Sequence, residues 1–224
     1  MKVKLIAKTI ICDEEVKAAL NGFDNPEQLV MYCARVSNPN NQNSGKPGLL
    51  KYCLEHGHVS IFEMGNMVFE IETSRAIAAQ ILRHRSFSFQ EFSQRYAEAQ
   101  NIEVYEARSQ DPKNRQNSKD DMTDEEKAWF IHAQKKHNEN CIKLYKEALA
   151  RGVAKEQARF LLPLSTTTKL YMNGSLRSWI HYLALRTGNG TQKEHQEIAL
   201  AIREIFVKEL PTIGEALGWT TKAE

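Results

Sequence analysis

The chain has 224 residues, 42% hydrophobic and 26% charged, with a formal net charge of +2. That balance excludes a disordered chain, allows a sizeable core, and provides no global field of the kind that draws nucleic acid. MKVKLIAKTI is too charged for a signal peptide and no stretch of about 18 uncharged apolar residues follows. The cysteines (Cys12, Cys33, Cys53, Cys141) form no C-x-x-C pair, so a reduced cytoplasmic protein without membrane span, disulfide scaffold or zinc site is expected.

Lys2 to Ile10 alternates Val3, Leu5 and Ala7 against Lys2, Lys4 and Lys8, the period of a half-buried strand. Asn25-Pro26 opens a helix through Leu29, Val30, Cys33 and Ala34. A polar loop over 38–45 and a short helix from Pro47 to His56, stopped by Gly57, come next. Met67 to Thr73 alternates again and predicts a second strand. Ser74 is placed to cap the helix after it, in which Ile77, Ala78, Ile81 and Leu82 share one face. Gln80, Arg83 and His84 share another, at i, i+3 and i+4. The residues beyond are expected to form a loop.

The stretch 106–122 is charged and rich in helix breakers, and predicts an exposed loop or lid inside one domain spanning 1–224. Thr123 and Glu126 form a capping box for a long helix ending at Gly152, which presents Trp129, Ala133, Leu144, Ala148 and Leu149. Lys155 to Leu162 reads as helix up to Pro163, and Thr166 to Met172 as strand, with Asn173-Gly174 as a turn. Ser175 to Arg186 and Thr191 to Leu210 are the last helices. A few strands among long helices give an α+β fold with an antiparallel or mixed sheet.

The densest chemistry lies in RHRSFSFQEFSQRY, Arg83 to Tyr96. Arg83, His84, Arg85 and Arg95 supply charge, Glu91 a carboxylate, and Gln90 and Gln94 carboxamides. Guanidinium forks grip phosphate in a bidentate way and stack on flat rings, so the run suits an anionic ligand with a π system. Phe87, Phe89 and Phe92 interleave with the polar positions, which argues that part of the run is buried and its neighbours held. Elsewhere the signals are weaker. His56-x-His58 lacks the carboxylates or thiols that a metal site needs. Arg159 and Arg186 are isolated arginines beside apolar residues. His132, His137 and His195 join no constellation and read as polar helix-surface residues.

Arg-His-Arg, seven residues, then Ser93 resembles the signature of the flavin-dependent thymidylate synthases, and the likeness runs from about Ser37 to Gln192. His58, Ser60, Phe62 and Glu63 are similar to a family His set before Phe-Glu. Arg159 stands in a segment like the family's A-R-x-x-L-P, and Arg186 ends a late helix in L-R. Departures occur at Met64, Ser175 and Gly190, where His, Asn and His are found in some members.

The resemblance implies a non-Rossmann flavin fold, in keeping with the lack of a G-x-G-x-x-G loop. It implies reductive methylation of dUMP to dTMP, with FAD, with methylenetetrahydrofolate as carbon donor and with NADPH as reductant. It also implies a homotetramer with active sites between subunits. Gln80, Arg83, Glu91, Phe92, Ser93, Arg95, Arg159 and Arg186 would meet dUMP. Ser37, His58, Ser60, Arg83, His84, Arg85, Ser86, Glu91, His181 and Gln192 would lie toward FAD. Arg186 would stabilise charge on the uracil ring, with Arg95 and Ser93 completing the catalytic set. Ser93 is read as a positioning residue, because a serine nucleophile needs a base that the sequence does not place.

Two other readings stay open at this level. One is a flavin-free enzyme using the same arginines on a nucleotide phosphate. The other is a single-stranded nucleic-acid module, which Glu91 and the neutral net charge disfavour.

Overall fold

Alternation in the sequence and alternation in burial coincide at the centre of the sheet. In the computed structural model, which describes residues 1–22, 24–44, 46, 48–99 and 101–219, β1 (Lys2–Lys8) pairs antiparallel with β2 (Asn66–Ser74). Between them lie α1 (Glu14–Ala19), α2 (Pro26–Ala34) and α3 (Gly48–Glu55). Asn25 caps α2 by accepting from the Gln28 backbone N–H at 2.9 Å. α1 escapes sequence reading because its six residues bury nothing and so carry no apolar stripe. Pro47, the expected start of α3, lies outside the described residues; Gly57, at φ +70°, follows its end. A 3-10 turn, Val59–Glu63, leads into β2.

After α4 (Arg75–Ile81) the chain does not continue as the expected loop. Ser88–Glu91 forms β3, an edge strand on β6 (Thr167–Ser175), with Ser88 opposite Asn173 and Glu91 opposite Leu170. The sheet order is β1-β2-β6-β3, antiparallel throughout. A four-residue strand has too little periodicity to announce itself, and its hydrogen-bond partners lie some 80 residues further along the chain. The Asn173-Gly174 turn is also corrected: β6 runs through it, and Gly174 pairs with Met67 of β2. The glycine serves close packing instead, since a Cβ there would stand 2.4 Å from Phe87 Cδ1.

Segment 106–122 folds into a small hairpin of β4 (Ser109–Gln110) and β5 (Ser118–Lys119). Asp111 closes its turn by accepting from the Lys113 and Asn114 backbone N–H groups at 2.8 and 3.2 Å. Lys127 ties it to α5 (Asp124–Ala150) through Asp120 at 2.5 Å and Glu106 at 3.2 Å. α5 starts on the expected Thr123–Glu126 capping box and at 1.5 Å per residue is about 40 Å long. It buries only Asn138, Cys141 and Tyr145, and leaves Trp129 and Leu144 exposed. Then come α6 (Lys155–Ala158), a 3-10 turn at Arg159–Leu161, and, beyond β6, α7 (Leu176–Arg186), α8 (Lys193–Glu209) and α9 (Pro211–Ala216).

One face of the sheet makes the core. Met67, Phe69 and Ile71 of β2 and Leu170 and Met172 of β6 pack with Trp179, Tyr182 and Leu183 of α7, with Ile198, Ile202 and Phe206 of α8, and with Ile77 and Ile81 of α4. Each such side chain contributes roughly 1.5–3 kcal/mol by leaving water. The opposite face carries Glu70, Glu72, Lys169 and Tyr171, joined by contacts such as Lys169–Glu72 at 3.0 Å and Tyr171 Oη donating to Glu70 at 2.7 Å. Among the described residues no helix is long and apolar enough to cross a membrane.

Candidate active site

The Arg83–Tyr96 run starts where α4 ends. Ile77, Ala78 and Ile81 are buried, which anchors the helix and leaves Gln80 half-buried on its flank. Past the last turn the His84 backbone N–H bonds to the Ile81 carbonyl at 3.1 Å, which holds the imidazole against α7. There its ring meets Tyr182 edge-on, with centroids 4.9 Å apart. Arg186, in the last turn of α7, donates from Nε to His84 Nε2 at 2.9 Å. An imidazole that accepts at Nε2 is neutral with its proton on Nδ1. Burial, then the charges of Arg186 and His181, pull the His84 pKa down to about 4.

The guanidinium of Arg186 thus lies beside a neutral ring. It is half-buried, and among the described residues it has no ion-pair partner. Its Nη groups have no hydrogen-bond partner among the described residues. Arg83 and Arg85, both exposed, likewise have no carboxylate partner among the described residues.

Behind this cation lies a polar wall. Gln80 Nε2 donates to Gln192 Oε1 at 2.6 Å, and Gln192 Nε2 to Glu194 Oε2 at 2.9 Å. His195 Nδ1 stands 3.4 Å from Gln80 Oε1, and His195 Nε2 stands 3.0 Å from the Tyr182 hydroxyl. The surface reading of His195 is corrected here: it is fully buried. Ile198, Ala199, Ile202 and Phe206, at i+3, i+4, i+7 and i+11, are buried with it, so it sits on the inward stripe of α8. Burial, with Arg186 and His84 nearby, lowers its pKa to about 3.

A second group forms at the other end of β3. Glu91 Oε1 accepts from Arg75 Nη1 and from Thr168 Oγ1, both at 2.9 Å, while Arg75 Nη2 donates to the Phe92 carbonyl at 2.7 Å. Arg95 pairs with Glu156 at 3.2 Å, and Arg159 Nε donates to the Glu156 carbonyl at 3.2 Å. Ser93 Oγ accepts from the Arg95 backbone N–H at 3.3 Å. Among the described residues no base is bonded to it.

In one chain the predicted residues form two clusters, one at each end of β3, which spans about 13 Å at ordinary strand rise. Gln80, Arg83, His84, Arg85, Arg186 and Gln192 fall at one end of it. Glu91, Phe92, Ser93, Arg95 and Arg159 fall at the other. Ser86 is tied to α7, its carbonyl accepting from Ser178 Oγ at 3.1 Å. Ser37, His58, Ser60 and His181 are exposed. The 3-10 turn that holds Ser60 packs on α7 and is clipped to it by Glu63–Arg177. His56 takes no metal-like posture: its ring stacks on Tyr52 at 4.0 Å and Nδ1 bonds to the Tyr52 carbonyl.

Comparison with known proteins gives this geometry a family. Residues 19–212 match the family described as "Thymidylate synthase complementing protein". A flavin-dependent thymidylate synthase of Synechocystis sp. is 60% identical over 195 residues, which cover 87% of this chain and 91% of that protein. The chain belongs to the flavin-dependent thymidylate synthase family. A probable flavin-dependent thymidylate synthase of Paramecium bursaria Chlorella virus 1 is 52% identical over 222 residues, 98% of this chain and 100% of that one. Among solved structures, the UMP/dUMP methylase PolB from Streptomyces cacaoi, bound with 5-Br dUMP, superposes with a TM-score of 0.82 at 25% identity, over 97% of this chain and 94% of that one.

Within this member of the family, five residues around the site were missed from sequence: Arg75, Arg108, Tyr182, Glu194 and His195. Only His195 carried a usable signal, its helical spacing from Ile198, Ala199 and Ile202. Arg108, from the 106–122 hairpin, reaches Glu194 at 2.6 Å across 86 residues of chain, a contact no local pattern encodes.

Proposed function

We propose that the chain, acting as one catalytic domain, performs its chemistry around Arg186, with Gln80, Arg83, His84, Arg85 and Gln192 at one end of β3 and Glu91, Ser93, Arg95 and Arg159 at the other. The family's activity is the methylation of dUMP to dTMP, with FAD as the flavin and methylenetetrahydrofolate and NADPH as the usual co-substrates. The single observation that carries the site assignment is Arg186: a half-buried guanidinium, pinned by a neutral imidazole, with its Nη groups free of carboxylates among the described residues.

The donor set fits a flavin dinucleotide. Uncommitted guanidiniums at Arg83 and Arg85 suit a pyrophosphate, and the carboxamides of Gln80 and Gln192 suit the edge of a ring that both donates and accepts. Ser37, His58, Ser60, Ser86 and His181 extend the assignment along α7 and the 3-10 turn beside it. The bound flavin supplies hydride transfer. The protein supplies position and charge. Carbon 5 of a uracil is a poor nucleophile until negative charge can build on the ring, and a fixed cation in a water-poor site lowers that barrier. Arg186 takes this role. Arg95 and Arg159 take the phosphate, Ser93 orients the nucleotide, and the Arg75–Glu91 pair holds the turn that carries Phe92.

The resemblance to the family implies active sites between subunits, and on that reading the two groups at the ends of β3 belong to sites shared by two copies of the chain. The exposed Trp129 and Leu144 on α5 supply apolar surface for such contacts. This supports a homotetramer with shared sites, and sedimentation of the purified protein tests it. A reducing cytoplasm suits its four free cysteines. The ligands are small molecules, and no part of the site calls for nucleic acid or membrane.

The test is flavin retained per chain after incubation with FAD and desalting, with visible spectra taken with and without dUMP. Near-stoichiometric flavin whose spectrum shifts on adding dUMP supports one shared site. Flavin without a dUMP response, or no retained flavin, overturns the assignment.

A further inference from the structure

Gln80 and Gln192 reach the ligands only if their carboxamides point the right way, and a carboxamide can present either end. The wall behind them removes the choice. Glu194 is 5% exposed, and its Oε1 accepts from Arg108 Nη2 at 2.6 Å. Burial alone would raise its pKa, but hydrogen bonds from Arg108, from its own backbone and from Gln192 outweigh that and hold it lowered, hence ionised. An ionised carboxylate only accepts.

Gln192, 2.9 Å away, must therefore turn its NH2 toward Glu194 and its oxygen toward Gln80. Gln80, at 2.6 Å, must turn its NH2 toward Gln192 and its oxygen toward His195 Nδ1. That nitrogen must then carry a proton. In a neutral imidazole Nε2 is left bare, so the Tyr182 hydroxyl must donate to it across 3.0 Å. One charge, the Glu194 carboxylate held by Arg108 of the hairpin, thus sets a single direction through Gln192, Gln80 and His195 to a buried tyrosine.

We propose that His195 is a positioning residue that acts through Gln80: with Tyr182 holding its tautomer, it locks the polarity of the Gln80–Gln192 carboxamide pair that faces the ligands. Among the described residues each carboxamide has one N–H without a partner, and Gln192 is exposed. Two N–H donors in fixed directions recognise ring carbonyl oxygens, the acceptors that uracil and a flavin ring both offer. The inference rests on Gln80 and Gln192 belonging to the ligand site, as assigned above.

Bond counting gives the experiment. An asparagine at 195 places its amide nitrogen, a donor, the same number of bonds from Cβ as Nδ1, and a glutamine places its carbonyl oxygen, an acceptor for the Tyr182 hydroxyl, the same number as Nε2. His195→Asn keeps the donor to Gln80, His195→Gln keeps the partner for Tyr182, and His195→Leu keeps neither. FAD affinity, the dUMP-induced spectral shift and the thermal midpoint are measured for each variant and the parent.

The expected order has His195→Asn within about threefold of the parent in FAD affinity and the other two weakened about tenfold, the worth of one positioned hydrogen bond. A packing role alone puts His195→Leu first and treats Asn and Gln alike; that order, or equal affinities throughout, overturns the proposal. If the parent neither retains FAD nor responds to dUMP, the site assignment falls first and takes this inference with it. Should the His195 variants not fold, Tyr182→Phe decides. Loss of the Nε2 donor is expected to lower the midpoint, as an unpaired buried nitrogen must, and to weaken FAD about threefold to fivefold at temperatures where the variant stays folded; unaltered affinity refutes the polarity lock.

Discussion

The two ends of β3 carry the same kinds of residue and treat them differently. Around Arg186 the cation is half-buried, its neighbours are neutral imidazoles, and each polar atom of the wall behind it has a set direction. Around Arg95 the charges lie near water: in the Arg95–Glu156 pair the side chains are 61% and 49% exposed. An ion pair of that kind contributes at most about 1 kcal/mol, so Arg95 can exchange Glu156 for a phosphate at little cost. The first end is held in place by hydrogen bonds within the chain, the condition that the proposed role of Arg186 requires. The second lies open to water, as its proposed role on a phosphate requires.

The largest expected effect breaks the first end. Arg186→Ala should lower kcat by about a hundred- to a thousandfold while leaving the thermal midpoint near that of the parent, as read by steady-state assay beside a melt. An equal fall in both would mean that Arg186 is a structural residue. Gly174→Ala should come next, because the new Cβ would stand 2.4 Å from the Phe87 ring that packs between β6 and α7. Overpacking of this kind costs roughly 1–3 kcal/mol, measurable by urea unfolding, and it should shift the edge strand that joins the two ends.

Acid should separate the ends further. The pKa values of His84 and His195 fall from 6.5 to about 4 and about 3 on folding. The unfolded chain therefore binds protons that the folded chain refuses. Their contribution to stability is complete above pH 6.5 and is lost as pH falls toward those folded values, on the order of 5 kcal/mol from the fully buried His195 and less from the partly exposed His84. Urea unfolding of the ligand-free protein at pH 7, 5.5 and 4.5 should show that slope, and His195→Leu should flatten it. A variant slope equal to the parent's would place the acid sensitivity in the carboxylates instead.

The smallest effects sharpen the second end. Arg95→Ala should raise the KM for dUMP about tenfold, the worth of one charge-assisted contact. Glu156→Ala, which frees Arg95, should change stability by no more than about 0.5 kcal/mol and lower that KM slightly. A large loss of stability in Glu156→Ala would show the pair to be a structural clasp.

Features that repeat within a few residues were legible without coordinates. Period-2 alternation marked β1 and β2, the Thr123–Glu126 box marked the start of α5, and the spacing from Arg83 to Ser93 marked the family. These depend on side-chain direction along one element and on caps that close within one turn, and both are local.

What tertiary structure alone decided is where distant segments meet. Ser88–Glu91 became a strand because β6 lies beside it to accept its hydrogen bonds. Asn173-Gly174 stayed extended because the Phe87 ring needs the room a glycine leaves. His195 went inside because Ile198, Ala199 and Ile202 took their helix face into the core, and there only Tyr182 and Gln80 could satisfy its nitrogens. The arginines of one motif separated into two groups because an extended strand runs between them. A buried polar group must find its partner wherever the fold has brought one, and that partner is set by packing across the whole chain, not by the neighbours in sequence.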